Sequence, residues 1–355
     1  MAISFRQGRR PHFFQRGAQA ANHEMKVTQM RRRDLARLAL AATVIGIARS
    51  NAVAQERYPN KPIRIVVGFP AGQSSDVGAR TIAAGLTREL GQTVWVDNKP
   101  GAAGIIAHEA VKNAPPDGYT LLMSSTAPLT INPSLYRKLP YDTLRDFTPI
   151  VLVNTSPMFL VSGAGSPFNT MRDLIAFAKA NPGKISYGSS GSGTTAHIAM
   201  EMLKKEAGID MVHVPYKGSP GMITDLIAGH AQVGFDAASA AAPQIAAGKL
   251  KALAASSLTR SPRFPDVPTV AEQGLPGYQA LTWAALIGPA GMPPAVVESL
   301  NAAVNKVLKS KDVQEHFAKV GSTVNGGSSA SFADFLRLEV DRWGRAVKAS
   351  GAQVD

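Results

Sequence analysis

Hydroxyl-bearing and small residues gather in two loops of this 355-residue chain. They are Phe69-Pro70-Ala71-Gly72-Gln73-Ser74-Ser75-Asp76 and Tyr187-Gly188-Ser189-Ser190-Gly191-Ser192-Gly193-Thr194-Thr195. Each closes an apolar run, Ile63 to Gly68 and Ile185 to Tyr187, and opens a helical pattern. A helix N-terminus offers unpaired backbone N–H groups and a partial positive charge, and Gly and Ser let an anion come close. Two such termini facing one cleft would hold a small carboxylate without any Arg or Lys.

Five of the eight residues from Gly188 to Thr195 are Ser or Thr, more hydroxyls than one helix cap requires. Enzyme patterns do not fit the loop. No Ser in it has Gly both two before and two after, as a nucleophile elbow needs. Gly188 and Gly193 have phosphate-loop spacing, but Thr194 stands where the lysine belongs, and Ala196 stands where a dinucleotide fingerprint needs glycine. The alternative is a secreted serine-type hydrolase using this loop, with Ser190 or Ser192 beside His197. It lacks the elbow and any identifiable orienting acid. Histidines 108, 197, 213, 230 and 316 never fall at ligand spacing, so no metal is expected. No catalytic residue or cofactor is expected either.

Other polar residues have two readings. Asp236 ends a strand, and the carboxyl ends of parallel strands face a ligand crevice. It would accept from an ammonium or hydroxyl of a ligand, or simply cap a turn. Asp76 reads as a helix cap, because a carboxylate would repel an anionic ligand. Ser124-Ser125-Thr126 ends a further strand and adds a third hydroxyl cluster. His197 could reach the second loop or be structural, and Trp283 and Tyr216 would wall the cleft or pack in the core.

Elements that could position these residues follow in steady alternation. Strand-like Ile63 to Gly68 precedes a helix from Ser75 to Leu90, with Ile82, Leu86 and Leu90 on one face and Gly91 as its stop. Val94–Val96 and Thr120–Met123 read as strands around a helix at 104–113. This rhythm predicts an α/β fold with mostly parallel sheets flanked by helices. The apolar stretch from Phe147 to Ser162 reads as two strands with a crossing at Pro157. Beyond it, Thr170 and Asp173 resemble a capping box. Helices are expected over 194–208, 220–229 and 242–248, between strands at 185–187, 212–215, 233–235 and 250–255. Residues 261–277 are Pro-rich and irregular, the second crossing. Three helices finish the chain, and the last carries Phe332, Phe335, Leu336, Val340, Trp343 and Val347 on one face, expected to pack on the first lobe. The predicted division is 1–54 as leader, 55–156 with 266–355 as lobe 1, and 157–265 as lobe 2.

The leader reading rests on Arg31-Arg32-Arg33, the apolar run Leu35 to Ala48, and the small-x-small site Ala52-Val53-Ala54. It predicts export to the periplasm with cleavage near Ala54. The leader holds 10 of the 38 Lys/Arg and 2 of the 25 Asp/Glu, leaving 28 basic and 23 acidic residues. The formal charge of +13 therefore belongs mostly to the leader, and no clustered basic face for nucleic acid is left. With no cysteine, disulfides and thiolate chemistry are excluded.

Motifs along the mature chain carry a resemblance. Tyr58-Pro59-x-Lys61-Pro62-Ile63-Arg64, Pro70-Ala71-Gly72-x3-Asp76-x3-Arg80 and Asn98-Lys99-Pro100-Gly101-Ala102-x-Gly104 come first. Pro116-Asp117-Gly118-Tyr119-Thr120-Leu121, Asn132-Pro133-Ser134-Leu135-Tyr136, Pro215-Tyr216-Lys217-Gly218 and Gly288-Pro289-Ala290-Gly291 follow in order. The chain resembles the Bug family, the extracytoplasmic solute receptors of tripartite tricarboxylate transporters. The resemblance implies a two-lobe type II periplasmic-binding-protein fold that closes on a small carboxylate. It implies ligand contacts at Ala71, Gly72, Ser74 and Ser75, and at 189–195, including Ser189, Ser190, Ser192, Thr194 and Thr195. Asp236 falls where some relatives meet the ligand's distal group. Gln73 replaces a second glycine usual in the family and brings an amide to the pocket mouth, and the loop after Ser125 has Pro128 in place of a flexible glycine. The implied partners are a small carboxylate and membrane transporter subunits, or a sensor. The protein is expected to act as a monomer.

Overall fold

The computed structural model describes residues 58–352. The leader and its cleavage near Ala54 lie outside the described residues, as does the side chain of Ser74. The strands are β1 Ile63–Val67, β2 Val94–Asn98, β3 Thr120–Ser125, β4 Phe147–Gly163 and β5 Ser186–Ser189. They continue with β6 Val212–Pro215, β7 Val233–Ala237, β8 Leu250–Ala255, β9 Leu281–Pro289 and β10 Thr323–Val324. The α-helices are α1 Ser74–Leu90, α2 Ile105–Lys112, α3 Asn132–Leu135, α4 Met171–Ala180 and α5 Thr195–Ala207. After them come α6 Ser219–Ala228, α7 Ala238–Ala246, α8 Pro294–Leu308, α9 Lys311–Lys319 and α10 Ser329–Ser350.

The strands hydrogen-bond in the order β2-β1-β3-β9-β4-β7-β5-β6, with β8 and β10 also on β4. Ladders β2-β1-β3 and β6-β5-β7 are parallel, and every pair made by β4 and β9 is antiparallel. Parallel strands covered on both faces need apolar side chains on both. Ile63, Ile65, Val66 and Val67 of β1 are accordingly all buried.

The stretch expected to be two strands is a single strand, β4. Its partners change at Pro157: residues 147–157 pair with β9, and residues 158–163 pair with β7 and β8. Proline lacks the N–H for a further ladder bond, which fits a place where one set of partners ends. Helix α7 begins at Ala238, four residues before the expected start, because it follows directly on β7.

Helix α4 is capped as expected: Asp173 N–H donates to Thr170 Oγ1 and Thr170 N–H to Asp173 Oδ2. Helix α10 does more than expected of it. Phe332 and Leu336 pack with Leu122, Leu129 and Trp283, but Trp343, Ala346 and Val347 belong to a different core with Ile131, Ile198 and Met200. One amphipathic stripe thus packs into two separate cores. Buried Glu339 lies at its middle, where Oε2 accepts the indole N–H groups of both Trp283 and Trp343 at 3.0 Å. Arg342 donates to Glu339 Oε1 at 2.8 Å. Trp283, read as a possible cleft wall, is core.

Candidate ligand-binding site

Parallel register brings the loops out together. Val67 pairs with Met123 and Gly188 with Gly234, so the loops after β1 and β3 leave one edge, as do those after β5 and β7. In the first loop, Gly72 turns the chain at φ +83°, and Gln73 stands as N-cap of α1 without a capping side chain. The cap comes from inside the helix. Asp76 Oδ2 accepts Gly72 N–H at 2.8 Å and Arg80 Nε–H at 3.0 Å, while Oδ1 accepts from Asn98 at 2.9 Å. Burial alone would raise this carboxyl, but hydrogen bonds from Arg80, Gly72 and Asn98 together hold it below the usual carboxylate range. Asp76 therefore sets the shape of the loop. Ala71, Gly72 and Gln73 are left exposed at its tip.

The second loop divides its hydroxyls into used and free. Ser189 is fully buried; its Oγ accepts Gly191 N–H at 3.2 Å, donates to Gly191 carbonyl at 3.0 Å, and meets His213 Nε2 at 2.7 Å. Thr194 is the N-cap of α5, accepting His197 N–H and donating to Gly191 carbonyl at 2.8 Å. These two hold the loop. Among the described residues, the side chains of Ser125, Ser190, Ser192 and Thr195 have no hydrogen-bond partner. With the open first turn of α5, they are the donors available to an anion. Ser124 and Thr126 are occupied: Ser124 Oγ lies 2.7 Å from His108 Nε2, and Thr126 Oγ1 accepts Trp283 N–H at 2.9 Å.

Asp236 is nearly inaccessible, at 3% exposure. Its Oδ1 accepts from Ser219 Oγ at 2.7 Å and Ala237 N–H at 2.9 Å, while Oδ2 has no partner. Burial pushes its carboxyl up to about 6, against the pull of those two donors. Ser219 opens α6 directly after Gly218, and the Gln73 amide nitrogen lies 3.8 Å from where a Cβ on Gly218 would sit. A Cβ on Gly193 would strike Leu135, in the segment that follows Ser125. The first loop thus meets the Asp236 wall, and the second loop meets the Ser125 segment. Tyr216 donates to Asp225 at 2.7 Å and lies against Gly188.

Two participants escaped the sequence reading. Ser219 carries a usable signal, a serine between Gly218 and Pro220 at a helix start. His213 carries none: in Val212-His213-Val214 the valine at 212 is exposed and the histidine turns inward, against hydrophobic alternation. His197, read as either loop-reaching or structural, accepts Gly193 N–H at Nδ1, 3.2 Å away. It is committed to the backbone, and Ser190 and Ser192 have no histidine partner among the described residues.

Unpartnered hydroxyls at a helix N-terminus and one free buried carboxylate oxygen are the features of a solute-binding receptor. Nothing supports the hydrolase alternative. The chain belongs to the family described as the tripartite tricarboxylate transporter family receptor, whose pattern matches residues 78–352. Protein BugT of Bordetella pertussis is 37% identical over 303 residues, covering 85% of this chain and 93% of BugT. The structure of Rpa4515 of R. palustris with adipate is 34% identical, at TM-score 0.78, covering 84% of this chain and 100% of that one. MatC of Rhodopseudomonas palustris with bound malate is 30% identical, at TM-score 0.75, covering 82% and 100%. The family's receptors are periplasmic, and no helix among the described residues is long and apolar enough to cross a membrane.

Proposed function

We propose that this receptor captures a small organic carboxylate between the loops after β1 and β5, closes on it, and performs no chemistry. The observation that carries the reading is the set of unpartnered hydroxyls, Ser190, Ser192 and Thr195 at the N-terminus of α5 and Ser125 at the end of β3. Backbone N–H groups of Ala71, Ser74 and Ser75 and the Ser75 hydroxyl serve the ligand's first carboxylate, and Gly72, its own N–H held by Asp76, lets that carboxylate come close. Gln73 and the partnerless Oδ2 of Asp236 meet its other end, where a hydroxyl, ammonium or protonated carboxyl fits. Ser189 and Thr194 serve the site by holding its loop. Adipate and malate in the two related structures fit this chemistry.

The lobes in this reading are 55–156 with 266–355 and 157–265, hinged where β4 changes partners and in the 261–277 segment. Closure follows if the ligand binds the closed state better than the open one. The receptor would work as a monomer that delivers its ligand to membrane transporter subunits or a sensor, after leader cleavage near Ala54. Thermal shifts of the purified protein, first partly unfolded and refolded to strip carried-over solute, test the reading. Mono-, di- and tricarboxylates, hydroxy acids and acidic amino acids form the panel. At a hundredfold excess over Kd a true ligand adds about 2.7 kcal/mol of stability. A panel without any stabilising acid would overturn the carboxylate reading.

A further inference from the structure

Behind the second loop stands a stack of three rings that anion capture by itself does not call for. The imidazoles of His197 on α5 and His213 on β6 lie 4.0 Å apart with planes 10° from parallel, and Tyr187 on β5 lies 4.8 Å from His213. Each imidazole grips the loop at a different point. His197 Nδ1 accepts Gly193 N–H, and His213 Nε2 meets Ser189 Oγ, which in turn bonds both polar groups of Gly191. Gly191 and Gly193 both have positive φ, +139° and +75°, which glycine adopts freely, so the loop's shape rests on these side-chain bonds rather than on its backbone preferences.

A ring nitrogen that accepts a hydrogen bond carries no proton. His197 is therefore neutral, with its hydrogen on Nε2. Protonation would set an N–H against the Gly193 N–H and place a cation 4.0 Å from the second imidazole. The charged and titratable groups facing the pair are Tyr187, Glu201 and Lys204. Glu201 Oε1 accepts from the Tyr187 hydroxyl and from Lys204 Nζ at 2.8 Å, so its charge is already matched. Burial pushes both imidazoles down, His213 to about 4, with His197 and Lys204 adding to the effect on His213 and Glu201 opposing it.

We infer that His197 and His213 are positioning residues for ligand capture: neutral His197 fixes the 189–195 loop in its anion-binding shape and releases it when charged, while His213 steadies Ser189 through its Nε2–H. The inference rests on the reading of that loop as the carboxylate site. Packing alone would be satisfied by any flat ring; the acceptor at Nδ1 would not. Asn at position 197 places a non-titrating oxygen near that Nδ1, while Phe keeps the ring and loses the acceptor.

Affinity for adipate, malate and succinate, measured by calorimetry at pH 4.5 and 7.5 on wild type, His197→Asn and His197→Phe, tests it. Ligand protonation affects all three proteins alike and cancels in their ratios. His197→Phe should bind roughly tenfold more weakly at pH 7.5, since it leaves a buried N–H unpaired. Relative to His197→Asn, wild type should lose affinity between pH 7.5 and 4.5, because only wild type can place a proton on the side chain at position 197. Equal ratios at both pH values, or wild-type affinity in His197→Phe, would overturn the inference. Should none of the three acids bind, the capture reading itself is in question. Nitrogen-resolved NMR of the imidazoles then decides the pair separately. A neutral Nε2–H tautomer at pH 7, with the Gly193 amide shifting as His197 titrates, supports it. An Nδ1–H tautomer or an unresponsive Gly193 amide overturns it.

Discussion

Asp76 keeps its charge in a buried position because Arg80, Asn98 and the Gly72 N–H converge on its two oxygens. Asp236 ends a strand at the corresponding edge of the other parallel ladder and is paired at one oxygen only. The raised carboxyl of Asp236 means that folding favours its neutral form. The penalty is absent below its unfolded value near 4 and complete above about 6, so stability falls as pH rises through that window. Asparagine keeps an oxygen for Ser219 and Ala237 and removes the charge. Asp236→Asn should therefore stabilise the ligand-free protein at pH 7.5 by up to about 3 kcal/mol and hardly at all at pH 4. It should also weaken any ligand whose far end donates a hydrogen bond. Urea unfolding at the two pH values, beside calorimetric titration, measures both; a variant less stable at pH 7.5 would refute the assignment of Oδ2 as an unpaired acceptor.

At the scale of elements, the β5–α5 turn is specified by glycine positions that differ in what they tolerate. A Cβ on Gly193 would fall 2.3 Å from Leu135, and its φ is +75°. Gly208, the C-cap of α5, also has positive φ, but nothing lies within 4 Å of its missing Cβ. Gly208→Ala should cost about 1 kcal/mol of backbone strain and leave ligand affinity unchanged. Gly193→Ala should shift the loop and lower affinity by roughly tenfold or more, since misplacing a bound group by an ångström is enough. Thermal midpoints together with binding constants of the two variants separate these effects. The hydroxyl-rich character of this turn was legible in the sequence as a cluster. Which hydroxyls are left without a partner was not, because Ser189 and Thr194 are consumed by bonds to Gly191, His197 and His213 that form only in the folded chain.

Across the whole molecule, α10 is the longest helix of the described residues and contributes to two separate cores. Glu339 ties it to Trp283 of β9 and to Trp343 one turn on, with Arg342 as counter-charge. Removing that carboxylate strands two buried indole N–H groups and an arginine. Glu339→Ala should cost about 3 kcal/mol, the scale for breaking a buried, hydrogen-bonded ion pair. Two of the three tryptophans lie at the lesion, so fluorescence-monitored unfolding reports it directly. On the proposed lobes, addition of a ligand should also shrink the radius of gyration in solution scattering. An unchanged radius with saturated ligand would argue against closure.

Local patterns determined much of this protein. Helical spacing, glycine stops and hydroxyl-rich strand ends fixed the α/β order and marked the two loops, and the motifs along the chain carried the family resemblance. These signals survive in one dimension because each is written within a few residues. Tertiary structure decided what depends on pairing between distant residues. Pro157 lies inside one strand because β9 on one side and β7 and β8 on the other continue a single backbone line. His213 reaches Ser189 because their strands are neighbours, and Glu339 reaches Trp283 because α10 returns across β9. Above all, Asp236 has one oxygen satisfied and one left open, a fact of hydrogen-bond geometry in a buried site that no spacing along the chain encodes.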